Sequence, residues 1–337
     1  MHNPSVSVLM SVYNTKEKFL RDAIESILCQ SFSDFEFIIV DDASTKNIEM
    51  IVRSYNDPRI IYLENEKNKG LAFTLNRCLS ISRGKYIARM DADDISLPNR
   101  LEKQVKYMEA TNTDILSTQV RFIGALKGET KGSWDCENIK VNLLFENKPI
   151  IHPTVMIRKD FLDKNNLKYN EKYKKAQDYE LWSKAIRICS FALLDEVLLL
   201  YRVHPNQAST KGKDEQINYA DQVRYDLLKE LYPNIEIDSE SHKQLSLLSS
   251  SKNIYELIKW CNTLIKCNAE SNTFGVKEFE DNVIYRMLIV YIKSVIQNNR
   301  RISFLKETLL TEKILLNIFR PHYILKLGSA FIRKTGF

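Results

Sequence analysis

Glycine is scarce in this chain, with 9 residues in 337. The few present never fall as G-x-G-x-x-G or as a loop ending in Gly-Lys-Ser/Thr. Such loops let backbone N–H groups approach a pyrophosphate, so their absence removes the dinucleotide-dehydrogenase and P-loop readings. Cysteine is thin and dispersed. Cys29, Cys78, Cys136, Cys189, Cys261 and Cys267 form no C-x-x-C pair and have no His at zinc-finger spacing, so free thiols in a reducing cytoplasm are expected. The start, Met-His-Asn-Pro-Ser, has no basic n-region, and no secretion signal is expected. No apolar run reaches the roughly 20 residues that span a bilayer; Val283 to Ile296 is interrupted by Arg286 and Lys293.

A broad basic surface is also missing. The net charge is +6, and from Arg300 onward eight basic residues stand against Glu307 and Glu312, which accounts for all of it. A neutral remainder argues against nucleic-acid binding and leaves the tail as a peripheral contact.

What is present is ordinary for a soluble globular protein, 44% hydrophobic and 27% charged. The length suits one catalytic domain with an appendage. Short apolar runs alternate with helical spacing through the first 125 residues, the signature of an α/β fold with a mostly parallel sheet. Strands are expected over Val6 to Val12, Phe35 to Val40, Ile60 to Leu63 and Tyr86 to Met90. Helices are expected after the first strand, over Leu71 to Ser82, and from Ser96-Leu97-Pro98 onward with Leu101, Val105 and Met108 as the buried stripe. Further on, Thr154 to Ile157, Phe191 to Leu194 and Val197 to Tyr201 read as strands and Asp178 to Cys189 as a helix. After the Pro205 to Lys213 loop the pattern turns helical, which divides the chain into an α/β catalytic domain over residues 1–214 and a helical region over 215–337.

Two acidic clusters, Asp41-Asp42 and Asp91-Ala92-Asp93-Asp94, follow strands, where ligands bind in open α/β sheets. Asp91 and Asp93, two apart on an extended segment, are expected to face one ligand. Carboxylate oxygens suit Mg2+ or Mn2+, with a diphosphate completing the shell. Helix capping is the plain alternative for the second cluster, and a turn for the first. An EF-hand fails, with Ile95 at position 5, Ser96 in place of Gly at position 6 and Pro98 at position 8. A phosphatase using Asp91 as nucleophile lacks identifiable partner residues.

Five blocks then occur in order: Val-Ser-Val-Leu-Met-Ser-Val-Tyr-Asn (6–14), Phe-Ile-Ile-Val-Asp-Asp-Ala-Ser (37–44), Asn-Lys-Gly-Leu-Ala (68–72), Gly-Lys-Tyr-Ile-Ala-Arg-Met-Asp-Ala-Asp-Asp (84–94) and Ala-Gln-Asp-Tyr-Glu-Leu-Trp (176–182). Together they resemble family 2 glycosyltransferases of the GT-A fold over roughly residues 5 to 210. The resemblance implies inverting transfer of a sugar from a nucleotide donor, UDP foremost, to a hydroxyl of a glycan or lipid-linked acceptor in surface-polysaccharide synthesis. It further implies that Asp42 binds the base, and that Ser11, Tyr13, Asn68, Asn76 and Ala92 help hold the nucleotide sugar. Asp91 falls toward the ribose or the metal shell, Asp93 ligates Mn2+ or Mg2+, and Asp178 is the general base, unless it merely caps its helix. Tyr13 as core packing and Asn68 as a loop residue are the plain alternatives.

Two departures stand out. Leu75 occupies the place before Asn76 where many relatives carry Arg, and Gln177 precedes Asp178 where Glu is frequent. His204 is a candidate for the metal or diphosphate, His152 less so, and Arg202 for a phosphate or a core acid. Ile314, Leu315, Ile318, Phe319, Ile324, Leu325, Leu327, Phe331 and Ile332 alternate with the basic residues of the tail as in an interfacial helix. The helical region is therefore expected to be membrane-proximal, on the inner face of the cell membrane, or to make a homo-oligomer; a core-facing helix is the alternative.

Overall fold

Runs of Val, Ile, Phe and Met too apolar to face water on either side form strands covered on both faces. In the computed structural model, which describes residues 3–205, 207 and 212–297, these are β1 (Val6–Val12), β2 (Phe35–Asp41) and β4 (Tyr86–Asp91), with the partly covered β3 (Ile60–Glu64) at the sheet edge. β5 (Ile95–Ser96), β6 (Ile115–Gly124), β7 (Gly128–Glu129), β8 (Met156–Arg158) and β9 (Phe191–Val203) follow. The basic tail from Arg300, and with it the membrane or oligomer expectation, lies outside the described residues.

Among the described residues, these nine strands make one sheet in the order β3-β2-β1-β4-β8-β6-β9-β5, with β7 paired to β6. β3, β2, β1 and β4 are mutually parallel. β8 runs antiparallel to both β4 and β6, and β5 antiparallel to β9. The sheet is therefore mixed, its parallel half carrying the first two acidic clusters.

The helices of the first half are α1 (Glu17–Leu28), α2 (Ile48–Arg53), α3 (Leu71–Ile81) and α4 (Arg100–Thr111). Alternate strand residues Val8, Met10, Phe37, Ile39, Ala88 and Met90 form one core with Leu20, Ala23, Ile24 and Ile27 of α1 and Leu101 and Met108 of α4. The intervening Leu9 and Ile38 are also buried, on the side where α3 packs against β1 and β2. Each such aliphatic side chain contributes about 1.5–3 kcal/mol.

Then come α5 (Cys136–Leu143), α6 (Lys159–Lys164), α7 (Gln177–Ala185), α8 (Lys213–Leu231), α9 (Ser239–Leu247), α10 (Ile254–Ser271) and α11 (Val276–Gln297). The chain divides into two compact units, one of residues up to Leu143 with Asn147–Val223, the other of Leu144–Glu146 with residues from Arg224. Inside the second unit, the imidazole of His242 lies between the Leu144 carbonyl (2.9 Å) and the Trp260 indole N–H (3.3 Å). There Arg286 pairs with Glu146 at 2.7 Å.

Several local expectations are corrected. Ser96 ends a short strand, and the helix read from Ser96-Leu97-Pro98 starts at Arg100. The strand read over Thr154 to Ile157 begins at Met156, because His152–Thr154 form a 3-10 turn with Pro153 in its first positions, where a missing N–H costs nothing. Phe191 to Leu194 and Val197 to Tyr201 are halves of one strand. The register against β6 jumps there, Thr118 facing Leu194 and Gln119 facing Val197, so Asp195 and Glu196 bulge outward. The helix read to Cys189 ends at Ala185.

Candidate active site

The parallel register sets which strand ends meet. Ser11 stands beside Val40 on one side and Asp91 on the other, and the Asp42 N–H donates to the Val12 carbonyl at 2.8 Å. Two acidic clusters and the loop after β1 thus converge at the carboxyl edge of β2-β1-β4, the ligand-binding edge of such sheets. Tyr13, one residue past β1, is 53% exposed.

Asp42 is buried and already engaged. One oxygen accepts from Asn65 Nδ2 (2.7 Å) and the Lys69 N–H (2.8 Å), the other from the Gly70 N–H (2.8 Å). The carboxylate therefore pins the 65–70 loop, on which Asn68 is exposed. Asn76 faces elsewhere: its amide donates to the Tyr169 carbonyl (2.8 Å) and accepts from the Tyr169 N–H (2.9 Å).

Asp93 does not lie on an extended segment. The chain turns at residues 92–94, and it is this turn, not strand alternation, that gathers the carboxylates. Asp91, Asp93 and Asp94 each offer an oxygen within 4.8 Å of the others. Ala92 is buried beneath them. β9 closes the cluster: Arg202 donates its backbone N–H to Asp94 Oδ1 (2.7 Å), Nε to the Asp93 carbonyl (2.7 Å) and Nη2 to Asp22 (2.9 Å). Its guanidinium lies 4.3 Å from the Phe19 ring centroid. The guanidinium of Arg202 thus pairs with an acid, Asp22, that is itself partly exposed. His204 Nε2 is 2.8 Å from Asp93 Oδ2.

Three crowded carboxylates are electrostatically costly. Burial first, then the charge of Asp91, raises the pKa of Asp93. Burial and both neighbours push Asp94 well above the usual carboxylate range. Asp94 Oδ2 is buried without a hydrogen-bond partner. Hard oxygen donors with an imidazole beside them suit Mg2+ or Mn2+, and a cation would relieve the repulsion, so the residues fit a divalent metal.

Two partners have no role assigned from the sequence, although Arg89 lies inside the 84–94 block. Arg89, two residues before Asp91 and on the same strand face, is buried and pairs with Asp91 at 2.5 Å. Asn147 donates to Asp178 at 2.8 Å. Asp178 is not the N-cap of α7, a place taken by Ala176 with no side-chain bond; it lies in the first turn, half-buried. Burial raises its pKa, opposed by the Tyr179 N–H, by Asn147 and by the charge of Arg89. Arg89 therefore acts electrostatically on both Asp91 and Asp178. His152 is buried against Tyr169 (2.9 Å to its hydroxyl), and burial holds it well below its ordinary pKa. That is a neutral structural imidazole.

Residues 7–199, which include every site residue just described except Arg202 and His204, match the sequence model of glycosyl transferase family 2. The chain belongs to that family. This glycosyltransferase is 43% identical over 216 residues, 61% of its length and 73% of the relative's, to an uncharacterised glycosyltransferase of Methanocaldococcus jannaschii. It is 33% identical to the O-antigen biosynthesis glycosyltransferase WbnJ of Escherichia coli, over 61% of this chain and 82% of that one. Its fold is that of S. aureus TarS 1-349, solved with UDP-GlcNAc (TM-score 0.60, 16% identity, 88% and 92% of the two chains). It also matches the Pyrobaculum calidifontis mannosyltransferase PcManGT, solved with GDP-Man and Mn2+ (TM-score 0.53, 15%, 87% and 88%). Among the described residues no helix is long and apolar enough to cross a membrane.

Proposed function

We propose that this glycosyltransferase moves a hexosyl or N-acetylhexosaminyl group, with inversion, from a UDP-sugar to a hydroxyl of a glycan or lipid-linked acceptor in surface-polysaccharide assembly. The observation that carries the reading is the triad of Asp91, Asp93 and Asp94 gathered at the carboxyl edge of the parallel strands. The O-antigen name of the E. coli relative and the UDP-GlcNAc bound by TarS favour the pathway and the donor.

Asp93 and His204 are assigned to hold Mn2+ or Mg2+, with Asp91 shared between metal and ribose and Asp94 buried behind them. When bound, the cation supplies charge neutralisation for the departing diphosphate. Ser11, Tyr13, Asp42, Asn68 and Ala92 are assigned to the nucleotide sugar; the pinned 65–70 loop supports Asp42 and Asn68, and the exposed ring supports Tyr13. Asn76, expected from the sequence to hold the nucleotide sugar, has its amide taken up by the Tyr169 backbone, so it is given no part in the site. Asp178 takes the proton of the acceptor hydroxyl as the new glycosidic bond forms opposite the breaking one. Residues 1–214 carry this chemistry, and 215–337 are assigned to membrane proximity or self-association, at the cytoplasmic face of the membrane.

Thermal-shift titration with UDP, GDP, CDP and dTDP, each with and without Mn2+, tests the centre of the proposal. UDP should give the largest metal-dependent shift, and Asp93→Asn should abolish the metal dependence. No metal-dependent shift with any nucleotide would defeat it.

A further inference from the structure

β6 and β7 fold back beside the end of β9 and frame a cavity of about 770 Å³ lined by Arg121, Phe122, Gly124, Lys127, Glu129 and Lys131 among others. Its position is fixed through the main chain. The Ala125 N–H donates to the Val203 carbonyl at 2.9 Å. Gly124, at φ +88°, approaches so closely that a Cβ would lie 2.5 Å from that same oxygen. Val203 stands between Arg202 and His204, the two residues that grip the aspartate cluster. The Gly124–Ala125 corner that borders the cavity is thus joined to the strand end whose Arg202 and His204 hold the cluster.

The charge of the cavity is of the opposite sign to that of the cluster. Glu129 is shared by Arg121 (3.4 Å) and Lys131 (3.1 Å), while Lys127 has no acidic partner among the described residues. A surplus of two positive charges remains on the exposed side of the hairpin, while Phe122 turns to the core side of β6, where its ring meets Tyr201 edge-on at 5.8 Å. The donor's diphosphate belongs at the aspartate cluster, through a cation. A separate cationic cavity on the β6–β7 hairpin suits a second anion, and an arginine fork with two ammonium groups matches a phosphate.

We propose that this hairpin cavity is the acceptor subsite for a phosphate group, carried one or two sugar units from the hydroxyl that receives the new sugar. The inference rests on the glycosyl-transfer reading above and deepens it by naming the acceptor class. The phosphate can come from a lipid carrier or from within a glycan.

Isothermal titration of the metal-free full chain at low ionic strength isolates the subsite, because the bare aspartate cluster repels phosphate. Glucose 6-phosphate should bind and glucose should not. The variant Arg121→Gln/Lys127→Gln/Lys131→Gln, changed only at exposed positions, should weaken binding by at least about tenfold. Glu129→Gln, which frees Arg121 and Lys131, should tighten it. Equal affinity in wild type and triple variant, or no preference for the phosphate sugar over glucose, overturns the proposal. Tighter binding of geranyl diphosphate than of pyrophosphate supports the subsite with a lipid carrier as source, and equal binding supports it with a glycan phosphate. Nucleotide titration with Mn2+ reads the donor site separately. Its failure with phosphate binding intact defeats the transfer reading alone; the reverse result defeats the subsite alone.

Discussion

At the scale of single residues the balance on Asp178 is the most informative. Burial raises its pKa while Asn147 and Arg89 oppose the rise, so the base form is lost at a higher pH than in an ordinary aspartate, near 3.9. The acid limb of kcat/KM should therefore lie above about pH 4, and Asn147→Ala, which removes a donor to the charged form, should move it further up. The same sign governs stability: a raised folded value favours the fold below the unfolded pKa, and that contribution is lost as pH rises through the folded one. Asp178→Asn should keep nucleotide affinity and lower transfer by about 10²–10⁴; undiminished turnover would remove Asp178 from its role. The aspartates stand out in the sequence because their residue type falls inside ordered blocks, and His204 as an imidazole after the last of those blocks. Arg89, though inside the 84–94 block, and Asn147, outside every block, do not stand out, because their meaning depends on partners. Asn147 and Asp178 are 31 residues apart, and nothing local to Asn147 marks it.

At the scale of elements the legible part is the parallel half of the sheet. β1 to β4 are continuous apolar runs with few other ways to be buried, and their expected bounds agree with the observed ones to within a residue. The less legible part is where backbone chemistry and apolar pattern disagree. Asp195-Glu196 interrupts the pattern but not the strand, since a bulge absorbs the two residues. Close approach is similarly invisible. At the start of β4, a Cβ on Gly84 would lie 2.5 Å from the Ser7 nitrogen and 2.6 Å from the Val6 carbonyl carbon, both backbone atoms that cannot swing aside. Gly84→Ala should thus push β4 from β1 and cost about 3 kcal/mol. Urea denaturation should show a lowered midpoint with an unchanged m-value. A midpoint equal to wild type would mean that the two strands have slack there.

At the scale of the whole molecule, charge and topology separate. The net +6 resides in the segment from Arg300, which the remainder of the chain does not share. Removing residues from Arg300 onward should leave the thermal midpoint of the nucleotide-bound enzyme within a few degrees and abolish sedimentation with vesicles rich in anionic lipid. Unchanged sedimentation would detach the membrane role from the tail. Topology, for its part, gives the aspartate cluster a history. Ser7 and Glu36, joining β1 to β2, are 29 residues apart, whereas His204 and Asp93 are 111 apart. During synthesis from the amino end, the aspartates emerge from the ribosome long before Arg202 and His204 do. For that interval the nascent chain carries three carboxylates with nothing from β9 to restrain them, and the site is assembled only when β9 has threaded in beside β6.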